Sequence, residues 1–516
     1  MSAASTPQPV DPSQQEQARQ LRGSSLLLTG QVLALGINFV VQIVIIRYLS
    51  KSDYGAFAYA LSIVALVQAA IQLGLDRGLT RYVPIYDEHN DESRLFGAVT
   101  FVVGVVTALG ILVVLGVIVF RSLIEGTLVQ DEEAIALLAI LIVLAPIDAL
   151  DNLLVGLLAA FGQTSAIFLR RYVVAPLLRL GVVLLLVINQ GSVEFLAIGY
   201  VLAGVVGLGI FGSHLVNLLR HRRTSSGQRG SGLRFPIAEL LTFSLPLLTT
   251  DLVFMALSAS DVIMLDFFGS AEDVASLRAV VPMAKLSQVV LASFGILYVP
   301  FVARLFARGD SGAIERRYWQ TATWVVVLTF PILITTVLFA NELTGTLLGE
   351  DYASSATILV ILALGYSINA FFGFNGMTLN VFRVIRFIVV ANILAVVTNI
   401  GLNLALIPSW GPVGAAVATA ATFLIHNLLK QWGLVRRAGV HGFSRRTGVL
   451  YLTVAVWVLL AIAAGLVLDL PFVLRVVMVA GSTSVVLWIA RDIVSLDDTF
   501  PIVARLPGIQ QLFRSR

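Results

Sequence analysis

The sequence predicts an all-α, polytopic membrane protein of about fourteen transmembrane helices, arranged as two six-helix lobes with two helices added at the C-terminal end. Three observations lead there. Apolar residues fill 58% of the 516 positions and charged residues only 12%, with a mean hydropathy of +0.92, whereas soluble domains average about 25% charged residues. Basic residues cluster in alternate connectors. The chain also repeats itself at an offset of about 220 residues.

The elements follow in order. The polar segment 1–22 lacks a cationic start followed by a short apolar core, and is read as a disordered cytoplasmic tail. Apolar runs then occupy 24–49, 54–75, 96–120, 134–161, 165–189, 193–219, 236–265, 274–304, 318–340, 353–375, 380–407, 412–435, 448–469 and 472–490. Each suffices for a crossing of about 20 residues, and those above 25 imply tilt or kinks. Fourteen crossings use somewhat over half the chain, which leaves no room for a separate soluble catalytic domain.

Arginine placement sets the topology. The even-to-odd connectors carry Arg77, Arg81 and Arg94; Arg220, Arg222, Arg223, Arg229 and Arg234; Arg304, Arg308, Arg316 and Arg317; and Arg436, Arg437, Arg445 and Arg446. The opposite connectors are acidic, with Asp131 to Glu133, Glu272 and Asp273, and Glu342, Glu350 and Asp351. Both termini are therefore expected in the cytoplasm, in a multi-pass protein of the cell membrane.

In the repeat, Leu49 to Gly55 resembles Gly269 to Ala275, and the fifth span (Phe161 through Val187) resembles the eleventh (Phe382 through Pro408). Six crossings per copy make the copies parallel, related by an axis along the membrane normal. The expected divisions are an N-lobe at 23–223, a linker at 224–235, a C-lobe at 236–438, two further helices at 439–494 and a cytoplasmic tail at 495–516.

Ionisable groups at membrane depth are costly and mark cavities or pathways. Asp76, Arg77 and Arg81 end the second span. Asp148 and Asp151 share a face of the fourth, and Arg170, Arg171 and Arg179 lie in the fifth. The seventh carries Asp251, Ser258 and Asp261, and the eighth aligns Arg278 with Lys285. The eleventh opens with Arg383 and Arg386 and continues with a stripe of Asn392, Asn399 and Asn403, which Gln31, Asn38 and Gln42 match in the first.

Read as a functional set, these residues line a water-filled cationic cleft between the lobes. Arg77, Arg81, Arg171, Arg179, Arg278, Lys285 and Arg383 would meet phosphate oxygens, which suit guanidinium forks and ammonium charges. A structural reading stands beside it. Arginines near span ends act as headgroup anchors, the carboxylates of Asp76, Asp148, Asp151, Asp251 and Asp261 pair helices or couple an ion, and the amide stripes bind helices together. Gly104, Gly204, Gly207 and Gly373 read as small residues at helix contacts. Cysteine is absent, the five histidines show no metal-ligand spacing, and no nucleophile elbow or phosphate-binding glycine loop occurs. No cofactor, catalytic residue or nucleic-acid partner is expected.

Three segments carry a family resemblance. Arg47 to Gly55 resembles the "R-Y-L-x-x-x-D-Y-G" signature of polysaccharide and oligosaccharide flippases, within the multidrug/oligosaccharidyl-lipid/polysaccharide exporter superfamily. Gly74 to Tyr82 is similar to the family's "G-x-x-x-x-x-x-R-Y" end of the second helix. Asn403 to Ala416 is similar to its "N-x-x-L-I-P-x-x-G-x-x-G-A-A". The resemblance implies a polyprenyl (pyro)phosphate-linked oligosaccharide cargo, flipped by alternating access for surface polysaccharide or glycoprotein glycan assembly. H+ or Na+ as a coupling ion and glycan-assembly enzymes are candidate partners, with the membrane potential as an alternative source of coupling. Arg77 and Arg81 match the basic end of the second helix, and Arg278 the eighth-helix cavity arginine of lipid-linked peptidoglycan precursor flippases. The first helix lacks that branch's basic cluster, which favours a surface-glycan or glycoprotein-glycan donor. Two alternatives remain. A cation-coupled multidrug exporter would carry an acid in the first helix, and a membrane glycosyltransferase or glycan polymerase would need a large outer loop with paired carboxylates.

Overall fold

The computed structural model describes residues 12–120, 132–225, 233–441, 445–468, 470–491 and 493, and every regular element among them is helical. The tail 495–516 and most of the linker 224–235 lie outside the described residues.

The first helix, α1 (Pro12–Tyr48), begins inside the polar segment expected to be disordered; residues 1–11 lie outside the described residues. α2 (Lys51–Gln72) stops at Leu73 and Gly74, both at positive φ, and α3 (Leu75–Glu88) continues as a separate helix. The second span thus ends three residues before its expected limit, and Asp76, Arg77 and Arg81 sit on α3. α4 (Glu92–Val119) follows. The fourth span is two helices, α5 (Glu132–Leu141) and α6 (Leu144–Ala160), divided just ahead of Pro146, where a ring without an N–H breaks the ladder. The fifth starts as α7 (Thr164–Ile167), widens into a π-helix (Phe168–Val174) and resumes as α8 (Ala175–Ile188). α9 (Val193–Ser225) and α10 (Ile237–Phe268) come next.

The eighth span is divided at Lys285 into α11 (Ala271–Ala284) and α12 (Leu286–Ala307). α13 (Ser311–Leu338) is followed by a π-helix (Glu342–Leu348) and a 3-10 turn (Glu350–Ser355), then α14 (Ala356–Phe372) and α15 (Phe374–Val381). α16 (Ile385–Ala438) carries non-helical backbone at Gly411, so its 54 residues form two spans. α17 (Arg445–Val467) and α18 (Phe472–Ala490) complete the described elements and both pack on α13.

Among the described residues, twelve helices are long and apolar enough to cross a membrane. One of these is the divided α16, and the 32-residue α10 stands outside the twelve. Counting α16 as two and adding α10 gives the fourteen crossings expected.

The chain divides into two compact units. The first comprises Met1–Leu49, Ala60–Thr127 and Glu132–Leu252, and the second Ser50–Tyr59, Leu128–Asp131 and Val253–Arg516.

The helix junctions repeat. Ser50 Oγ accepts from the Asp53 amide at 3.1 Å, and Ser270 Oγ from the Asp273 amide at 3.3 Å. Asn90 at φ 54° precedes the cap residue Asp91, as Gly309 at φ 71° precedes Asp310. Left-handed Gly162 answers to Arg383 at φ 58°, and Gln190 at φ 49° to Gly411 at φ 52°. Each pair is separated by 219 to 221 positions, the offset of the repeat. Capping and left-handed turns satisfy the orphan donors and acceptors at helix ends, so these positions keep their geometry while the side chains change.

The Arg47–Gly55 signature also acquires a physical meaning. The Tyr48 hydroxyl donates to the Gly191 carbonyl at 3.0 Å within the first unit. In the second unit, Lys51 donates to the Asp351 carbonyl at 3.1 Å, and Tyr54 meets Tyr352 edge to face. A Cβ on Gly55 would fall 1.8 Å from the Ala271 carbonyl oxygen, so the approach of these two helix starts requires glycine. Of the glycines read as packing positions, Gly204, Gly207 and Gly373 face neighbouring side chains, whereas nothing lies within 4 Å of a Cβ placed on Gly104.

A buried ion pair joins two elements of the first unit. Arg170, on the π-helix, presents Nε and Nη2 to Asp151 Oδ1 on α6, both at 2.8 Å, and is only 4% exposed. Gly207 of α9 makes the space: a Cβ there would come within 2.9 Å of the guanidinium carbon. The other face of the guanidinium meets the Phe211 ring at 5.9 Å, a cation–π contact.

Two outcomes follow for the purified protein. Asp151→Asn strands the Arg170 charge and should cost about 3 kcal/mol, read as a lowered thermal midpoint in detergent; the double change Asp151→Leu with Arg170→Met should recover most of it, because no lone charge remains. Arg383→Gly should raise the midpoint by the equivalent of up to about 1 kcal/mol, since a side chain at positive φ is strained where glycine is not; an unchanged or lower midpoint would contradict the strain.

Candidate functional site

The second unit holds a cavity of about 390 Å³ walled by α10, α11, α12, α14, α15 and the second half of α16. Two of the seven predicted phosphate-binding residues, Arg278 and Lys285, line it together. The break at Lys285 terminates α11 with this residue in the cavity wall, and its ammonium lies 5.4 Å from the centre of the Tyr366 ring.

Asp261 of α10 is the carboxylate among the described lining residues. It is buried, and its two oxygens accept from Asn403 Nδ2 at 2.7 Å and Thr419 Oγ1 at 2.6 Å. Asn399 extends the cluster, its Oδ1 accepting from Ser260 Oγ at 2.7 Å and Asn403 Nδ2 at 3.2 Å. Two neutral donors thus meet the two carboxylate oxygens where water is excluded, which is how a buried charge is made tolerable. Asn392 lies about two turns before Asn399 on α16 and accepts from His426 Nε2 at 2.9 Å. The predicted stripe Asn392, Asn399 and Asn403 is therefore buried and hydrogen-bonded throughout.

A second row of amides crosses the cavity wall. Gln288 Nε2 donates to the Tyr366 carbonyl at 2.6 Å, and its Oε1 accepts from Asn369 Nδ2 at 3.0 Å. Asn369 Oδ1 accepts from Asn427 Nδ2 at 3.0 Å, and Asn427 Oδ1 accepts from Asn375 Nδ2 at 3.3 Å. Beyond Asn375, the Lys430 side chain lies over Gly376. Sequence reasoning passed over these residues. Their signal was Thr419, Phe423, Asn427 and Lys430 in a single span: spacings of four, four and three put them on one helical face.

The other predicted residues lie elsewhere. Arg77 and Arg81 are exposed on α3, where Arg81 sits 4.5 Å from the Phe243 ring, and Asp76 is half-buried. Asp151 is held by Arg170, and Asp148 lies in the field of Arg179 and Arg170. Arg171 is exposed, as is Arg179, whose guanidinium is 5.8 Å from the Tyr200 ring. Gln31 and Gln42 are half-buried and Asn38 exposed on α1, and Arg383 is exposed at its junction. Asp251 belongs to α10, but its side chain lies outside the described residues, as does that of Ser258.

Known proteins resemble this chain. An uncharacterized membrane protein of Methanocaldococcus jannaschii is 23% identical over 458 residues, 86% of this chain and 89% of its own. A probable low-salt glycan biosynthesis flippase of Haloferax volcanii is 28% identical over 130 residues, 25% of this chain and 28% of its own length. Among solved structures, the lipid II flippase MurJ in an inward closed conformation superposes with a TM-score of 0.70 at 13% identity, over 92% of this chain and 99% of that one; at that identity the likeness is one of fold. The family described as polysaccharide biosynthesis protein matches residues 20–306, more than half of the sequence. With its signature segments and that match, the chain belongs to the polysaccharide biosynthesis protein family.

Proposed function

We propose that the chain is a transporter, and not an enzyme, that turns a polyprenyl-(pyro)phosphate-linked oligosaccharide from the cytoplasmic to the outer leaflet by alternating access. The cargo serves surface polysaccharide or glycoprotein glycan assembly, in a cell membrane with both termini cytoplasmic. The observation that carries this reading is the joint placement of Arg278 and Lys285 in one cavity whose described carboxylate, Asp261, is already taken up by Asn403 and Thr419. Cationic donors at membrane depth select an anion, and a phosphodiester supplies one with several acceptor oxygens. The match to the Haloferax volcanii protein named a glycan biosynthesis flippase supports the same class of cargo.

Within this reading Arg278 and Lys285 hold the phosphate. The exposed arginines Arg77, Arg81, Arg171, Arg179 and Arg383 attract the anionic headgroup along the way. Asp261 is the candidate for coupling to H+ or Na+, because its buried carboxylate is held by neutral donors and changes charge with the bound ion. A multidrug exporter is the less favoured member of the superfamily, since α1 places Gln31, Asn38 and Gln42, and no carboxylate, within the first span.

The test uses proteoliposomes containing a polyprenyl-linked oligosaccharide whose outer-leaflet fraction is read by an added glycosidase. Replacing Arg278 or Lys285 with Gln, and separately with Leu, should reduce leaflet exchange at least tenfold while protein level and insertion stay normal. Exchange at the unaltered rate in all four variants rejects the assignment, and drug/cation antiport without any glycolipid movement overturns the function.

A further inference from the structure

The cavity of the second unit has two cationic ends. At one, Arg278 and Lys285 flank Asp261. At the other is Lys430, and among the described residues no carboxylate or carbonyl pairs with its ammonium. A lysine held inside a membrane bundle without a counter-charge is costly, and a phosphate seated on Arg278 and Lys285 does not by itself relieve it.

Geometry separates the two ends. Lys285 lies against the Tyr366 ring and Lys430 against position 376, backbone positions ten residues apart along α14 and α15 and so about 15 Å apart at helical rise. Charge-assisted hydrogen bonds of about 2.8 Å at each end leave roughly 9 Å to be spanned by a ligand that touches both. A pyrophosphate is shorter than that. A pyranose with phosphate at its anomeric carbon and a carboxylate at the far side of the ring has about that length.

The wall between the ends has the chemistry of a sugar site. Gln288, Asn369, Asn427 and Asn375 form a continuous row of carboxamides, each fixed by its neighbour. A carboxamide offers two donors and two acceptor lone pairs, so each keeps capacity for a ligand hydroxyl after its contact to the next. Tyr366 and Phe423, with ring centres 5.1 Å apart, supply apolar faces beside them. The volume of about 390 Å³ suits one small ligand and not an oligosaccharide.

We infer that this cavity binds a glycosyl phosphate whose sugar is itself acidic, with phosphate on Arg278 and Lys285, hydroxyls on the carboxamide row and the sugar carboxylate on Lys430. The inference rests on the flippase reading and deepens it: the cargo is a lipid-linked glycan whose phosphate-proximal sugar is a uronic acid.

Binding of glucuronic acid 1-phosphate and of glucose 1-phosphate to the purified full chain in detergent tests this by calorimetry. The acidic sugar should bind at least tenfold more tightly. In Lys430→Gln the ratio should fall to about one, and in Lys430→Arg, which keeps the charge, it should return. Equal affinities in the unaltered protein overturn the inference, as does no binding of either compound, or a ratio that survives in Lys430→Gln. The readout is an equilibrium ratio and not movement between leaflets. Equal affinities with intact leaflet exchange therefore sink the acidic-sugar assignment alone, whereas lost exchange with an intact ratio sinks the transport reading alone.

Discussion

The cost of placing charge where water is scarce governs this structure. At membrane depth an ionised side chain must find a partner, reach water or meet a ligand, and a bare charge there costs several kcal/mol. The protein applies different solutions in different places. Arg170 is neutralised by Asp151, faces an aromatic ring and occupies space that a side chain at position 207 would remove. Asp261 has no such close cation among its hydrogen bonds and is held by an amide and a hydroxyl instead. Solvation by neutral dipoles keeps the carboxylate buried without fixing its charge, which a permanent ion pair would do.

The same constraint applies to backbone. Each helix end leaves four donors or four acceptors unsatisfied, and in a membrane these cannot be left to solvent. Side-chain caps at Ser50, Asp91, Ser270 and Asp310, and left-handed residues at Asn90, Gly162, Gln190, Gly309, Arg383 and Gly411, deal with them at matching places in the two copies. Side chains at these places differ freely, as Gly162 and Arg383 do. The turn geometry does not, because it is the hydrogen bonding that is being preserved. The copies diverge at the cavity: the eighth span breaks at Lys285, a cavity residue, while α2 runs on to Gln72.

The π-helix at Phe168–Val174 belongs to the same logic. A wider turn there orients consecutive arginines differently, Arg170 inward to Asp151 and Arg171 to the outside. Local widening of this kind is common at functional positions. Here it lets one short segment serve packing with one guanidinium while a second remains accessible.

What the sequence determined by itself was the membrane class, the number of crossings, the repeat and the type of charge to look for. Those depend on summed hydropathy and on local spacing, which are properties of the chain. Arg278 and Lys285 were legible as a pair because seven residues on a helix return to the same face. The carboxamide row was not legible, because Gln288, Asn369 and Asn427 come from three helices and meet only through packing. Nor was the meeting of Asp261 with Asn403 and Thr419, separated by 142 and 158 residues. Within a single span an asparagine that binds helices together and one that walls a cavity look the same. Only the tertiary structure, by deciding which faces of distant helices converge, could tell them apart.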